Sequence, residues 1–238
     1  MQTLTILNWA AWAPNLHSKE AWHAWSAKPI HPTGNDRIDP KTIPAILKRR
    51  ASHLSKMAIE ISNQALENHT VDYAVFCSQH GELNHTMALL KNIANQEILS
   101  PASFSQSVHN TSAGLLSVMH QLKHNMTSIA AGENSFLMGI VEVLAWLQLN
   151  SEKVVLFTMF DDNIPEEYGS LDIKSRDQYV LSMILTEKKS ASPAISVTLE
   201  TINHPQDNAL PQALRFLAWF LQDSAKELRQ QSIRWKKQ

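Results

Sequence analysis

The sequence predicts an α/β fold in which a layered mixed sheet packs around a deeply buried helix. Three observations carry this. From Val71 onward, short β-branched and aromatic runs alternate with segments of helical periodicity. Val154–Phe160 is a continuous apolar run, the pattern of a strand covered on both faces. Asn134–Leu149 carries Phe136, Leu137, Ile140, Val141, Leu144 and Leu147 almost all round a helix, and such a helix has to be buried.

Thr3–Leu7 reads as the first strand. A tryptophan-rich stretch with Trp9, Trp12, Trp22 and Trp25 follows it. Pro29, Pro32, Gly34, Pro40 and Pro44 mark an extended, loop-like region. From Ala51 to Leu66, the residues Leu54, Met57, Ala58, Ile61 and Ala65 keep helical spacing. Val71–Cys77 is a short buried strand. Leu83, Met87, Leu90 and Ala94 form one face of the next helix. Thr111–Leu122 is helical again, with Leu115, Leu116 and Met119 on its face. Thr127–Ala131 is a strand leading into the buried helix. Tyr179–Thr186 and Ala194–Thr201 read as a strand pair around a Lys188–Pro193 turn. Leu210–Leu228 reads as an amphipathic, aromatic-rich helix. Repeats, low-complexity tracts and linkers are not evident, so residues 1–238 are expected to form a single domain.

Composition narrows the function. With 44% hydrophobic residues, the 238-residue chain can bury a sizeable core. A net charge of -1 points to neither nucleic acid nor a membrane surface as partner. The single cysteine precludes an intramolecular disulfide or a multi-cysteine metal cluster and suits a reducing compartment. The N-terminus lacks a basic n-region, and the apolar runs fall short of the roughly 20 residues a membrane span needs. A cytoplasmic protein with no membrane span is expected.

Several local strings could carry chemistry. Cys77-Ser78-Gln79-His80-Gly81-Glu82 combines a thiol, an imidazole and a carboxylate. Neighbours along one turn align poorly for catalysis, however, and a cysteine ending a buried strand is commonly a small hydrophobe. His120 and His124 stand at i,i+4, but Gln121 occupies the place of the glutamate a zinc-protease helix needs. The early tryptophans suit a stacking platform or the core. Lys48, Arg49 and Arg50 suit a phosphate, such as a carrier-protein phosphopantetheine, or simply solvent. Neither a GxGxxG nor a GxxxxGK[ST] string occurs, so no nucleotide cofactor is expected, and no metal.

Linked strings carry more weight. They are K-R-R-A-S-H-L-S-K-M-A at 48–58, F-C-S-Q-H-G-E-L at 76–83 and S-P-A-S-F-S-Q-S-V-H-N-T-S-A-G at 100–114, followed by S-I-A-A-G-E-N-S-F at 128–136 and F-D-D-N-I-P-E-E-Y at 160–168. In this order the chain resembles the N-terminal-type ketosynthase-like domain of the thiolase superfamily. The resemblance is to chain-length-factor-like subunits of type II systems that make aryl polyenes. It extends from the tryptophan-rich start to the closing L-R-F-L-A-W-F-L.

The resemblance implies a thiolase-type half. A full ketosynthase has two similar βαβαβ halves, with a catalytic cysteine on the first and two histidines on the second. This chain has about half that length. Counting back from Val154–Phe160 puts Glu133 at or next to the cysteine position, and none of residues 127–137 is cysteine. A thiolate at a helix N-terminus attacks thioesters; a carboxylate there is stabilised but is a poor nucleophile. Glu133 is left as a helix cap or as a group facing a partner's acyl tunnel. Downstream, only His204 lies beyond the buried helix.

The resemblance thus implies a catalytically silent subunit that pairs with a complete ketosynthase and limits polyene length. The pairing would run through Thr127–Ala131. Interface or pocket candidates are Ser107, Val108, His109, Asn110, Gly114, Ile129, Ala130, Ala131, Gly132 and Glu133. Acyl carrier protein is a further partner, with Arg49 and Arg50 as candidate contacts. The rival readings are an acyltransferase or hydrolase using Cys77 with His80, and a scaffold that binds carrier protein.

Overall fold

A computed structural model describes residues 2–169, 177–187, 194–200 and 210–238. The chain opens with β1 (Gln2–Trp12), α1 (Lys19–Ser26), α2 (Ala45–Arg50), α3 (His53–Leu66) and β2 (Tyr73–Cys77). Next come α4 (Leu83–Ala94), α5 (Pro101–Ser105), α6 (Thr111–His120), β3 (Asn125–Ile129), α7 (Ser135–Leu149) and β4 (Val154–Asp161). It closes with β5 (Tyr179–Thr186), β6 (Ala194–Leu199), α8 (Gln212–Leu221), β7 (Glu227–Gln230) and β8 (Ile233–Lys237). The predicted α/β class and layered mixed sheet are present. Among the described residues, no helix is long and apolar enough to cross a membrane.

The eight strands form one sheet in the order β3-β2-β4-β5-β1-β6-β8-β7. β3, β2 and β4 run parallel and the remaining pairs are antiparallel. Each face carries a core. On one side α7, α8 and α1 bury Phe136, Ile140, Leu144, Phe216 and Trp22. On the other, α3 and α6 bury Met57, Ile61, Ala65 and Leu116. Every residue of β2 and β5 is buried, as double coverage demands.

β1 serves both cores through a register shift between Ile6 and Asn8. Before it, Leu4 and Ile6 face the first core. After it, Ala10 and Trp12 face the second, while Ala11 and Ala13 take the first. One extra residue swaps the faces, because side chains alternate with a period of two. Of the two readings of the early tryptophans, Trp12, Trp22 and Trp25 take the core.

Three expectations need correction. β5 and β6 are strands but not partners: β1 lies between them and pairs with both. The expected Lys188–Pro193 turn lies outside the described residues. The last predicted helix stops at Leu221, and Glu227 and Leu228 at its expected end instead begin the β7–β8 hairpin. On α4 the buried side chain is Leu89, and Leu90 is exposed.

Candidate functional site: the carboxyl ends of the parallel strands

The parallel strands end side by side, with Cys77 in register with Ile129 and with Met159. Open α/β sheets bind ligands beyond such carboxyl ends. Three turns gather there, after β2, β3 and β4.

The turn after β3 has the predicted strand–turn–buried-helix layout. β3 spans Asn125–Ile129, two residues earlier than expected, so Ala130 and Ala131 belong to the turn. A single 3-10 turn, Gly132–Asn134, leads into α7. Gly132 has φ of +58°, and a Cβ there would meet nothing within 4 Å. Within this chain Gly132 serves a left-handed turn. Ala130 is exposed, whereas Ala131 and Glu133 are half-buried.

The Ser135 hydroxyl ties this turn together. Its Oγ accepts the Ala131 N–H (3.0 Å) and lies 2.7 Å from the Gly132 carbonyl and 3.3 Å from that of Ser78. The last contact joins it to the turn after β2, and the Ser78 N–H also donates to the Ile129 carbonyl (3.2 Å).

Asp161, the last residue of β4, organises the β2 turn. It is 2% exposed. Its Oδ1 accepts the Ser78 hydroxyl (2.8 Å), the Gln79 N–H (2.9 Å) and the His80 N–H (3.0 Å). The Ser78 Oγ in turn accepts the Gly81 N–H (2.7 Å). Burial pushes the Asp161 carboxyl up to about 7, against the pull of these hydrogen bonds and of His109.

The structure brings the 107–114 segment to the same place. His109 Nε2 lies 3.0 Å from the Ile129 carbonyl and so carries the proton it donates. Its Nδ1 faces Gly81, where a Cβ would sit 2.6 Å away. Ser107 is half-buried, while Val108, Asn110 and Gly114 are exposed. Arg49 and Arg50 are apart from this cluster, exposed on the last turn of α2. His204 lies outside the described residues.

Cys77 is no nucleophile by geometry. It is fully buried, and burial pushes its thiol far above the ordinary range, with Asp161 and Glu142 adding to the effect. Gly139 of α7 makes room for it: a Cβ there would lie 2.2 Å from the Cys77 Sγ. The chain's one thiol is a core side chain.

Beside the turns lies a polar cleft of about 570 Å³ that the sequence reading missed. The Gln178 amide donates to His53 Nε2 (2.6 Å) and to Asp162 Oδ1 (2.9 Å). His53 therefore accepts at Nε2, and burial holds its imidazole below the ordinary value. Glu82, buried nearby, accepts from Ser52 (2.7 Å) and Ser55 (2.6 Å). Burial pushes the carboxyls of Asp162 and Glu82 upward. The one available signal was a pair of acids, Asp161-Asp162, ending an otherwise apolar strand. Among the described residues, no group of histidines, cysteines and carboxylates is arranged to hold a metal.

Comparison with known proteins fits this geometry. Residues 22–238 match the family described as beta-ketoacyl synthase, N-terminal domain. No curated protein sequence matches the chain. Among solved structures it is similar to a chain of the ketosynthase ApeO in complex with its chain length factor ApeC, from Xenorhabdus doucetiae. That match has 31% identity and a TM-score of 0.80 and covers 100% of this chain and 99% of the other. The ishigamide ketosynthase/chain length factor shares the fold at 14% identity and a TM-score of 0.63, over 84% of this chain and 68% of the other. AntDE:AntF, a type II acyl-carrier protein in complex with its ketosynthase, shares it at 11% identity and a TM-score of 0.62, over 83% and 70%. The chain therefore belongs to the beta-ketoacyl synthase N-terminal domain family and corresponds to one half of a ketosynthase.

Proposed function

We propose that residues 1–238 act as one ketosynthase-like domain, a non-catalytic, chain-length-factor-like partner of a beta-ketoacyl synthase in an aryl polyene pathway. One observation carries the reading. The strand that leads into the nucleophile-type turn, β3, is the edge of the sheet, and the turn it feeds holds Glu133 and no cysteine.

An edge strand offers unpaired N–H and C=O groups to a second sheet. β3 has no fully buried residue: Asn125 is exposed and Met126–Ile129 are half-buried. β2, its neighbour, is wholly buried. Pairing along β3 would extend the sheet into the partner and bring the 130–134 turn to the partner's acyl pocket. The similar chain from the ApeO–ApeC complex matches over almost its whole length, so it too has half-length dimensions. In this role Ala131 and Glu133 close the pocket floor and limit product length. The burial of Cys77 weighs against the rival hydrolase.

Contact with an acyl carrier protein through Arg49 and Arg50 completes the proposal. Their exposure at the end of α2 supports it, since a guanidinium group suits a phosphate.

The test is co-expression with the ketosynthase from the same gene cluster, followed by size exclusion and product analysis. A 1:1 complex is expected. Ala131→Trp should break assembly or shorten the polyene. Two chains that never co-elute would overturn the partner reading, and unchanged products with Ala131→Trp would overturn the pocket-floor role.

A further inference from the structure

The polar cleft beside the β2 and β4 turns carries hydrogen-bonding groups that the fold does not use. Its walls come from the extended segment between α1 and α2, the starts of α3 and α4, the loop after β4 and the approach to β5. Gln178 is 5% exposed. Its side-chain N–H groups serve His53 and Asp162, while its Oε1 has no partner among the described residues. A buried amide oxygen is nearly always satisfied, by protein, water or a ligand. His53 accepts at Nε2, so its proton sits on Nδ1, which also lacks a partner among the described residues. Asp162 accepts the Gln178 amide and the Asn163 N–H (2.8 Å) on Oδ1 alone, which leaves Oδ2 in the same condition. Arg37 is exposed on the cleft wall, with neither a hydrogen bond nor an ion pair among the described residues. Its charge is felt by both His53 and Asp162.

The walls are fixed by bonds of their own. Asp36, next to Arg37, accepts the Asn15 N–H (2.8 Å) and pairs with His17 (3.2 Å). Asn15 Nδ2 donates to the Thr33 carbonyl (2.8 Å). Farther along the same segment, Thr42 donates its N–H (2.9 Å) and hydroxyl (2.7 Å) to buried Glu60. Asn84 Nδ2 donates to the Asn163 carbonyl (2.6 Å) and so ties α4 to the loop after β4.

We propose that this cleft binds a small dipolar molecule of the α-amino acid class, with its carboxylate on Arg37 and the His53 Nδ1–H and its ammonium on Asp162 Oδ2 and Gln178 Oε1. The charge pattern selects the class. A bare anion such as phosphate is drawn to Arg37 but repelled by Asp162, and a bare cation meets the reverse. A molecule that carries both charges satisfies both groups, and a guanidinium matches the fork of a carboxylate. The volume of about 570 Å³ lies within the range of small-molecule sites. The cleft shares no residue with the 130–134 turn or with β3, so the inference does not rest on the partner reading above.

The experiment titrates the full chain with L-serine, L-glutamine, acetate, ethylamine and inorganic phosphate by calorimetry. It is run on wild type, Arg37→Ala, Asp162→Asn and Arg229→Ala. Arg229, exposed on β7 and paired with Glu227, is the control. At least one of the two amino acids should bind saturably, with acetate, ethylamine and phosphate weaker by about tenfold or more. Arg37→Ala and Asp162→Asn should each weaken that binding by about tenfold or more, with Arg229→Ala unchanged. Absence of saturable binding by either amino acid would overturn the proposal, as would equal binding by acetate or phosphate. Binding that survives both cleft variants, or that falls equally in Arg229→Ala, would overturn it too. Arg37→Ala removes an exposed side chain without protein partners among the described residues, so its result stands even if Asp162→Asn fails to fold.

Discussion

Replacing Asp161 with asparagine should make the protein more stable at alkaline pH and leave it nearly unchanged in acid. Asp161 is buried, and its three hydrogen bonds among the described residues all end on one oxygen, Oδ1. Asparagine can present a carbonyl oxygen to the same three donors without burying a charge. The folded carboxyl titrates at about 7 instead of 3.8, so the folded chain holds this proton more tightly than the unfolded chain does. Stability from this group is then fully present below about pH 4 and is lost as pH rises toward about 7, because the native state binds the extra proton throughout that window. Three pH units at ~1.36 kcal/mol each give ~4 kcal/mol, and relaxation of the site reduces this to on the order of 2–4 kcal/mol. The assay is urea unfolding followed by tryptophan fluorescence, with buried Trp22 and Trp235 as reporters. It is run on wild type and Asp161→Asn at about pH 5 and about pH 8. The variant should gain on wild type as pH rises, by ~2 kcal/mol or more across the range. Parallel pH profiles would refute the buried-carboxyl account. A variant that loses stability most at alkaline pH would show that the ionised form is the one the turn was built around.

The other predictions concern the packing beneath the turns. Gly139→Ala would place a Cβ 2.2 Å from Cys77 Sγ and 2.7 Å from Phe157 Cε2. A loss of ~1–3 kcal/mol is expected in thermal unfolding. Cys77→Ala alone should leave complex formation and product length unchanged and cost ~1–2 kcal/mol. In the double variant it should recover part of the Gly139→Ala loss, with a coupling of ~1 kcal/mol measured by a double-mutant cycle. Ser135→Ala removes the acceptor of the Ala131 N–H and the bridge to Ser78. It should cost ~1–3 kcal/mol and speed hydrogen exchange at the Ala131 amide about tenfold.

The local elements were largely legible because their signals are local. The all-apolar run of α7, the buried runs of β2 and β4 and the periodicity of α3 each need no distant partner to be recognised. Pairing was not legible. β5 and β6 look like a hairpin in sequence, yet β1, about 180 residues earlier, fills the space between them and pairs with both. β1 itself was read short because its bulge breaks the alternation at Leu7, and the tryptophans beyond it seemed to start a new segment. The β7–β8 hairpin was missed because α8's apolar run continues into a sequence whose alternation is weak.

The site divides along the same line. An absent cysteine can be read from the string at 127–137 with no structure at all. The bedding of that turn cannot, because its bonds span 20 to 83 residues: His109 to Ile129, Ser135 to Ser78 and Ser78 to Asp161. Those bonds exist because parallel strands end together, and a parallel sheet is assembled from distant segments. The nucleophile-type turn is held from both sides by hydrogen bonds, that of Ser135 to Ser78 buried, although no thiol stands in it. A turn kept only as a relic could loosen at little cost, whereas a surface that must mate with another subunit has to keep its shape. The rigid bedding and the open β3 edge therefore argue together for a turn retained as a contact surface, and Ser135→Ala tests that directly. If assembly survives a mobile Ala131 amide unchanged, the rigidity serves only the fold of this chain.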